Sequence, residues 1–202
     1  MNGIILIGGG GHCKSAIDVM EAERKYEILG VIDNSLAKDE RVCDYTVIGT
    51  DDAIPKHRKA QSSFLICIGQ IKSAKPRMSS YNRVIQAKGS LATVVSPFAH
   101  VSRHAEISAG SIIMHSSLVN SHSLIGENCI INSMCLIEHD CLIGKHCHIS
   151  TGAKLNGGVT VGQRCFIGSG AIIKNGITLG NDVVIGAGCV VKHDVIAGSI
   201  LK

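Results

Sequence analysis

Ten histidines and nine cysteines in 202 residues could serve metal ligation, thiol redox chemistry or proton transfer. The cysteines include no C-x-x-C pair, which argues against a zinc cluster or a dithiol centre. Histidine suits proton transfer because an unperturbed imidazole titrates near pH ~6.5. Residue type and spacing alone select none of the ten. A different chemistry is written at Gly8 to His12, four glycines and a histidine between an apolar run and a helical stretch. Such a strand-to-helix turn aims backbone N–H groups and a helix dipole at one point, where a phosphate can be held. The dinucleotide fingerprint G-x-G-x-x-G is met at Gly8 and Gly10 but fails at Cys13, which disfavours a nicotinamide oxidoreductase. A tight turn without any ligand would use the same glycines.

Two kinds of element must position these groups. From Val95 through Val101, Ile107 and Ile113 to Ile185 and Val191, every sixth residue is aliphatic, seventeen positions without a break. A helix repeats its faces every 3.6 residues and a strand every 2, so neither alone gives this period, whereas a hexapeptide β-helix does. Four residues on from each aliphatic the side chains are mostly small. Six of the nine cysteines fall there: Cys129, Cys135, Cys141, Cys147, Cys165 and Cys189. In a triangular solenoid these positions face a narrow interior, where a free cysteine packs as a small hydrophobe. With no secretory signal pattern at the start, the thiols point to a reduced, cytoplasmic setting.

The first ninety residues read differently. Ile4 to Ile7 forms a strand, and His12 to Glu23 a helix with Cys13, Ala16, Ile17 and Met20 on one face. Strands at Ile28 to Ile32 and Phe64 to Ile68 alternate with helices from Asp51 and from about Arg77 to Lys88, the last opened by Pro76. That alternation predicts a small parallel sheet, and a division into domains at 1–90 and 91–202. A hydrophobic fraction of 45% with six aromatic residues and no Trp fits a stacked aliphatic core. The net charge of +4 comes from scattered basic residues, which gives no support for nucleic-acid binding. No apolar stretch approaches the ~20 residues needed to span a bilayer, so a soluble chain without membrane insertion is expected.

In its combination of motifs the chain resembles bacterial sugar acetyltransferases of the NeuD/PglD type, the sialic acid O-acetyltransferases and UDP-4-amino-sugar N-acetyltransferases. The resemblance rests on Ile-Gly-Gly-Gly-Gly-His-Cys-Lys (7–14), Gly30-Val-Ile-Asp33, Val47-Ile-Gly-Thr-Asp51, Ile66-Cys-Ile-Gly69 and Ile137-Glu-His-Asp140. It implies an α/β Rossmann-like N-terminal domain followed by an all-β left-handed parallel β-helix, assembled as a homotrimer with acetyl-CoA between neighbouring β-helices. It also assigns roles. His139 matches the family's catalytic base and Asp140 its acidic partner, more often Glu in the family. Gly157 lies one eighteen-residue coil above His139, a rise of roughly 4.8 Å, where its N–H would polarise the thioester carbonyl. His148, Ser169 and Ala187 match cofactor-binding positions. Gly10, Gly11, His12, Asp33, Asn34 and Gly69 match the nucleotide-sugar site, and Asn132 approaches the acceptor. At the C-terminal end Ile196 replaces the family's Pro, and the family's Gly-x-Pro-Ala-Lys segment is not found before Lys202.

The expected activity is acetyl transfer from acetyl-CoA to an amine of a nucleotide-linked sugar, in bacterial surface-glycan synthesis. Two alternatives stand beside it: O-acetylation of a sialic or other nonulosonic acid, and a non-catalytic solenoid that binds a sugar nucleotide. No metal is expected, because hexapeptide zinc carbonic anhydrases use two histidines five residues apart and no such pair occurs here. Most remaining histidines are expected to sit on outward walls or corners without a chemical role.

Overall fold

The computed structural model describes residues 2–58 and 62–202. The N-terminal part runs β1 (Asn2–Ile7), α1 (Gly11–Glu23), β2 (Tyr26–Ile32), β3 (Arg41–Val42), β4 (Tyr45–Gly49), a 3₁₀ turn (Asp51–Ala53), α2 (Ile54–His57), β5 (Ser62–Ile66), α3 (Lys75–Gln86) and β6 (Ser90–Leu91). The strands form one sheet in the order β3-β4-β2-β1-β5-β6. It is parallel except for β3, which pairs antiparallel with β4. β1 is a continuous apolar run because both of its faces are covered. Ile4 and Leu6 pack with Cys13, Ala16, Ile17 and Met20 of α1, while Ile5 and Ile7 pack with Ile54, Phe64 and Val84 on the other side.

From Val94 onward two-residue strands cycle through three parallel sheets, each step advancing one coil of eighteen residues except the last, from Val184–Ile185 to Ile200–Leu201, which is shorter. The first wall stacks Val94–Val95, Ile112–Ile113, Ile130–Ile131, His148–Ile149, Phe166–Ile167, Val184–Ile185 and Ile200–Leu201. The second runs from His100–Val101 through Leu136–Ile137 and Lys154–Leu155 to Val190–Val191, and the third from Glu106–Ile107 through Leu142–Ile143 to Thr178–Leu179. The second residue of each strand points inward, and Ile113, Ile131, Ile137, Ile149, Leu155 and Ile167 are fully buried. The small-residue register packs beside them: Cys129, Cys135, Cys141, Cys147 and Cys165 are buried and Cys189 is half-buried. At the corners from Gly110 to Gly188 the residue three after the inward aliphatic takes the left-handed conformation, as at Asp140 (φ 60°) and Gly158 (φ 71°). Among the described residues no helix is long and apolar enough to cross a membrane.

The α/β part lies against the first wall. Arg77 of α3 donates to the Asn128 carbonyl at 2.7 Å, Gln70 to the Cys165 carbonyl at 3.1 Å, and Tyr81 to Glu127 at 2.9 Å. Asp18 of α1 contacts His115 at 2.8 Å. These contacts bury the outward residues Val94, Ile112, Ile130 and His148 of that wall. The edge between the second and third walls is therefore the one turned away from the α/β domain.

Candidate active site

His139 and Asp140 occupy that far edge, in the corner between Leu136–Ile137 and Leu142–Ile143. The left-handed backbone at Asp140 brings its carboxylate back to the preceding imidazole, with Nδ1 to Oδ2 at 2.8 Å. The shorter Asp therefore reaches the ring where the family more often has Glu. With Nδ1–H donated to the carboxylate, Nε2 keeps its lone pair and is free to accept a proton. One coil on, Gly157 lies against this ring: a Cβ there would stand 2.6 Å from both Cε1 and Nε2. Its carbonyl accepts from Gly176 N at 3.0 Å, but its own N–H donates to no described residue. An imidazole lone pair and an unused backbone donor thus stand on adjacent coils of the same corner.

A second centre sits at the C-terminal ends of β1, β2 and β5. Its pocket, about 450 Å³, is lined by Gly10, Gly11, His12, Asp33, Asn34 and Gly69 among others, the six residues singled out from the sequence. Gly8 has φ +100° and carries the chain close over Ile68, where a Cβ would meet Cγ1 at 2.6 Å. Nothing lies within 4 Å of the Cβ positions of Gly10 and Gly11, so ligand can approach the backbone where α1 begins. Burial works against the Asp33 charge, yet its hydrogen bonds prevail and hold the carboxyl below its usual pKa. These come from the Ser35 hydroxyl (2.6 Å) and from the Gly9 (2.7 Å), Ser35 (2.7 Å) and Leu36 (3.1 Å) amides. Asn34 Oδ1 accepts the Asp51 N–H at 3.0 Å. Both side chains thus shape the pocket wall through the backbone.

Between α1 and the edge joining the first and second walls runs a cleft of about 650 Å³. Gly11, His12, Gly69, Gln70, Asn132 and His148 line it, together with the corner residues Ser133 and Thr151. Burial, the Arg77 guanidinium and His148 push the His12 pKa down to about 3, and its Nε2 is buried without a described partner. Burial, opposed by the hydrogen bond to Gln70 and reinforced by Arg77, lowers His148 to about 4. Higher on the same edge Ser169 and Ala187 stand in a largely apolar groove of about 530 Å³ with Ile71, Phe166, Val184 and Ile200. Apolar walls of this kind suit the arm of a pantetheine-bearing molecule. Among the described residues no group of three or more His, Cys, Asp and Glu side chains is gathered to hold a metal.

The chain thus brings its expected site residues into three groups rather than one. Gly10, Gly11, His12, Asp33, Asn34 and Gly69 share the pocket, Ser169 and Ala187 share the groove, and His139, Asp140 and Gly157 share the far edge. His148, expected with the cofactor positions, is placed with Asn132 in the cleft, and its edge-on contact with Phe166 (centroids 5.3 Å) leads toward the groove. Sequence reasoning missed Gln70 and Arg77, which carry no motif. Of the remaining histidines, expected mostly on outward walls or corners, His146 sits at a corner but is buried. That residue is buried under the edge of Tyr81 at 4.9 Å and bonded to Asn128 at 3.0 Å, because the α/β domain covers its corner.

The sequence matches the PglD N-terminal domain over residues 3–84. It matches the bacterial transferase hexapeptide over 122–157 and 140–175, and the hexapeptide repeat of succinyl-transferase over 158–193. A comparison with curated protein sequences gives no match. Among solved structures, a mutant perosamine N-acetyltransferase from Caulobacter crescentus, in complex with CoA and GDP-perosamine, is 31% identical with a TM-score of 0.92. The alignment covers 99% of this chain and 93% of that one. The acetyltransferase domain of PglB from Neisseria gonorrhoeae, in complex with acetyl coenzyme A, is 27% identical with a TM-score of 0.89, covering 98% and 95%. WeeI from Acinetobacter baumannii AYE shares the fold, with 22% identity, a TM-score of 0.84 and coverage of 98% and 94%.

Proposed function

We propose that this chain, which belongs to the PglD-type sugar acetyltransferase family, transfers acetyl from acetyl-CoA to an amine of a nucleotide-linked sugar. The observation that carries the mechanism is the His139 ring, held at Nδ1 by Asp140 and set with Nε2 against Gly157. His139 Nε2 takes the proton from the attacking amine, a contribution of roughly 10²- to 10⁴-fold. Asp140 stabilises the imidazolium that results. The Gly157 N–H stabilises charge on the thioester oxygen as the amine attacks, worth roughly 10²- to 10³-fold. Ser169 and Ala187 border the groove for the pantetheine arm, and the turn at Gly10, Gly11 and His12 takes the diphosphate. An amine acceptor is favoured over a hydroxyl by the likeness to perosamine N-acetyltransferase.

The far edge meets the pocket and the groove only between copies. A threefold axis parallel to the solenoid, with the second wall of each copy facing it, sets the far edge of one chain against the first-to-second-wall edge of the next. The outward residues Leu118, Leu136, Ile172 and Val190 make that wall apolar enough to be covered. Rotation about such an axis does not change height along the solenoid. His139 stands between Ser133 and Thr151 in chain order, hence in height, and those two residues line the cleft with Asn132 and His148. A neighbour's His139 accordingly faces this cleft, and the homotrimer is the catalytic unit. The free cysteines suit a cytoplasmic setting for it. The test is incubation with labelled acetyl-CoA and GDP-perosamine, a UDP-linked 4-amino sugar, or free sialic acid. Transfer to sialic acid with none to either nucleotide sugar would overturn the reading.

A further inference from the structure

The strand order decides which end of the pocket takes which part of a sugar nucleotide. β5, β1, β2 and β4 are successive neighbours in the sheet, and Gly69, the Gly10–His12 turn, Asp33–Asn34 and Asp51 follow them in that order. Gly11, His12 and Gly69 are shared with the cleft, so the sugar leaves toward β5. With the diphosphate at the α1 turn, the base extends the other way, over β2 to β4, two strand spacings or about 10 Å. Asp51 lines the pocket at that end. Few groups there are free to read a base. Asp33 accepts hydrogen bonds on both carboxylate oxygens, and the Ser35 hydroxyl donates to it at 2.6 Å. Asn34 Oδ1 accepts the Asp51 N–H at 3.0 Å, which settles the orientation of its amide and leaves Nδ2 as a donor with no described partner. The same bond ties the two residues side by side. The Asp51 side chain is 11% exposed, with Oδ2 3.5 Å from Arg83 Nε of α3, and neither oxygen accepts a hydrogen bond among the described residues.

An amide donor thus stands beside two carboxylate acceptors, and the bases differ in what they ask of such an array. Guanine offers one acceptor, O6, followed by two donors, N1–H and N2–H, whereas uracil offers O4, N3–H and then a second acceptor, O2. One donor followed by two acceptors complements guanine in full. Against uracil the second carboxylate oxygen would stand opposite O2, acceptor to acceptor. We propose that Asn34 and Asp51 select a guanine nucleotide, with Asn34 Nδ2 donating to O6 and the Asp51 carboxylate accepting from N1–H and N2–H. Arg83 is a positioning residue. It touches no ligand and holds the carboxylate from the other side, where Asp51 also borders a depression lined by Arg83 and Arg58. This selectivity rests on the pocket being the nucleotide-sugar site of the proposed function.

The test is calorimetric titration of the full chain and its variants with GDP and with UDP. The expected result is GDP bound at least about tenfold more tightly than UDP by the wild type, the worth of roughly one hydrogen bond to a charged group. Asp51→Asn turns one of the two acceptors into a donor, which is the array that uracil complements. It should weaken GDP about tenfold and leave UDP unchanged or tighter, so that the preference closes or reverses. Arg83→Gln should reduce the GDP preference without altering the UDP value, and Arg83→Lys, which keeps a charge beside the carboxylate, should restore most of it. A wild type that binds UDP as tightly as GDP would overturn the proposal. So would equal losses for both nucleotides in Asp51→Asn, which would make Asp51 a ribose contact or part of the frame. Equal losses in Arg83→Gln would refute its positioning role. No acetyl group moves in these titrations. Guanine selectivity in a chain that acetylates no nucleotide amino sugar would therefore refute the acetyltransferase reading alone. Acetylation of a UDP-linked amino sugar by a chain that prefers UDP would refute the base selection alone.

Discussion

Replacing Gly157 by alanine adds one methyl group where the structure leaves no room for it. The new Cβ would stand 2.6 Å from both Cε1 and Nε2 of His139 and 3.3 Å from Cδ2. Gly157 is not among the left-handed glycines, so alanine meets no backbone penalty and the imidazole is its whole conflict. Ordinary carbon contacts begin near ~3.5 Å, so the ring must retreat by about 1 Å. The bond from Nδ1 to Asp140 at 2.8 Å turns that retreat into a swing of Nε2 away from the reacting atoms. A misplacement of about 1 Å costs on the order of 10²-fold in rate. His139 is exposed and can yield toward solvent, so the fold loses little, and the stiffer unfolded chain contributes about 0.4–1 kcal/mol in favour of the variant. The expected outcome is kcat/KM down about a hundredfold, from thiol release with acetyl-CoA and a nucleotide amino sugar, with Tm unchanged or slightly raised. Activity within about threefold of wild type would refute the placement of Gly157 over the base. A fall in Tm of more than about 5 °C would show that the ring is held rigidly, contrary to the argument.

Three further outcomes follow from the same structure. His139→Ala should lose roughly 10²- to 10⁴-fold in kcat with an unchanged melting curve, and a wild-type rate would remove this residue from the mechanism. Burial chiefly, with the Arg77 guanidinium, pushes His12 to about 3 and both His146 and His148 to about 4, from 6.5. The unfolded chain therefore binds more protons between about pH 6.5 and pH 4. Stability is full above that window and falls as the pH drops through it, by up to ~1.4 kcal/mol per pH unit for each histidine. Urea melts from pH 7.5 to 4.5 check this, and a flat profile would contradict the buried neutral rings. Native thiol labelling should modify Cys43 quickly and Cys189 slowly, leaving the buried cysteines to react only after denaturation. Fast reaction of all nine would contradict the packed interior.

The six-residue period made the solenoid legible down to individual side chains, because a repeat of eighteen per coil leaves one choice of which residues stack. It places the cysteine register inside and Gly157 one coil above His139. The parallel α/β order was legible from apolar runs and glycine turns. The β3–β4 hairpin was not, since Arg41–Val42 is too short to show a period. Helix α3 begins at Lys75, two residues before the expected start, with Pro76 in its first turn. The pocket residues came from the glycine turn together with the family likeness. What no period reveals is which wall the α/β domain covers. That one fact buries His146, sets His148 beside the cleft, and turns His139 away from the pocket of its own chain.

The covered wall also explains a choice of side chains that looks costly in isolation. Arg77 is fully buried, with Nη2 bonded to Asn128 O and Oδ1 and Nη1 to Gln70 Oε1 at 3.4 Å, and no carboxylate among its hydrogen-bond partners. Its Nε finds no described partner. A guanidinium stripped of water and matched only by amides costs folding energy that a carboxylate would partly offset. A carboxylate, however, would cancel the field that Arg77 casts on His12, His146 and His148, which adds to burial in holding all three uncharged. Were His148 to charge, Nε2–H would face the Asn132 N–H, donor against donor, and the amide would lose the partner that orients it. The uncompensated cation thus stabilises the neutral His148 ring, and with it the direction of its bonds to Asn132 within the β-helix and to Gln70 across the interface.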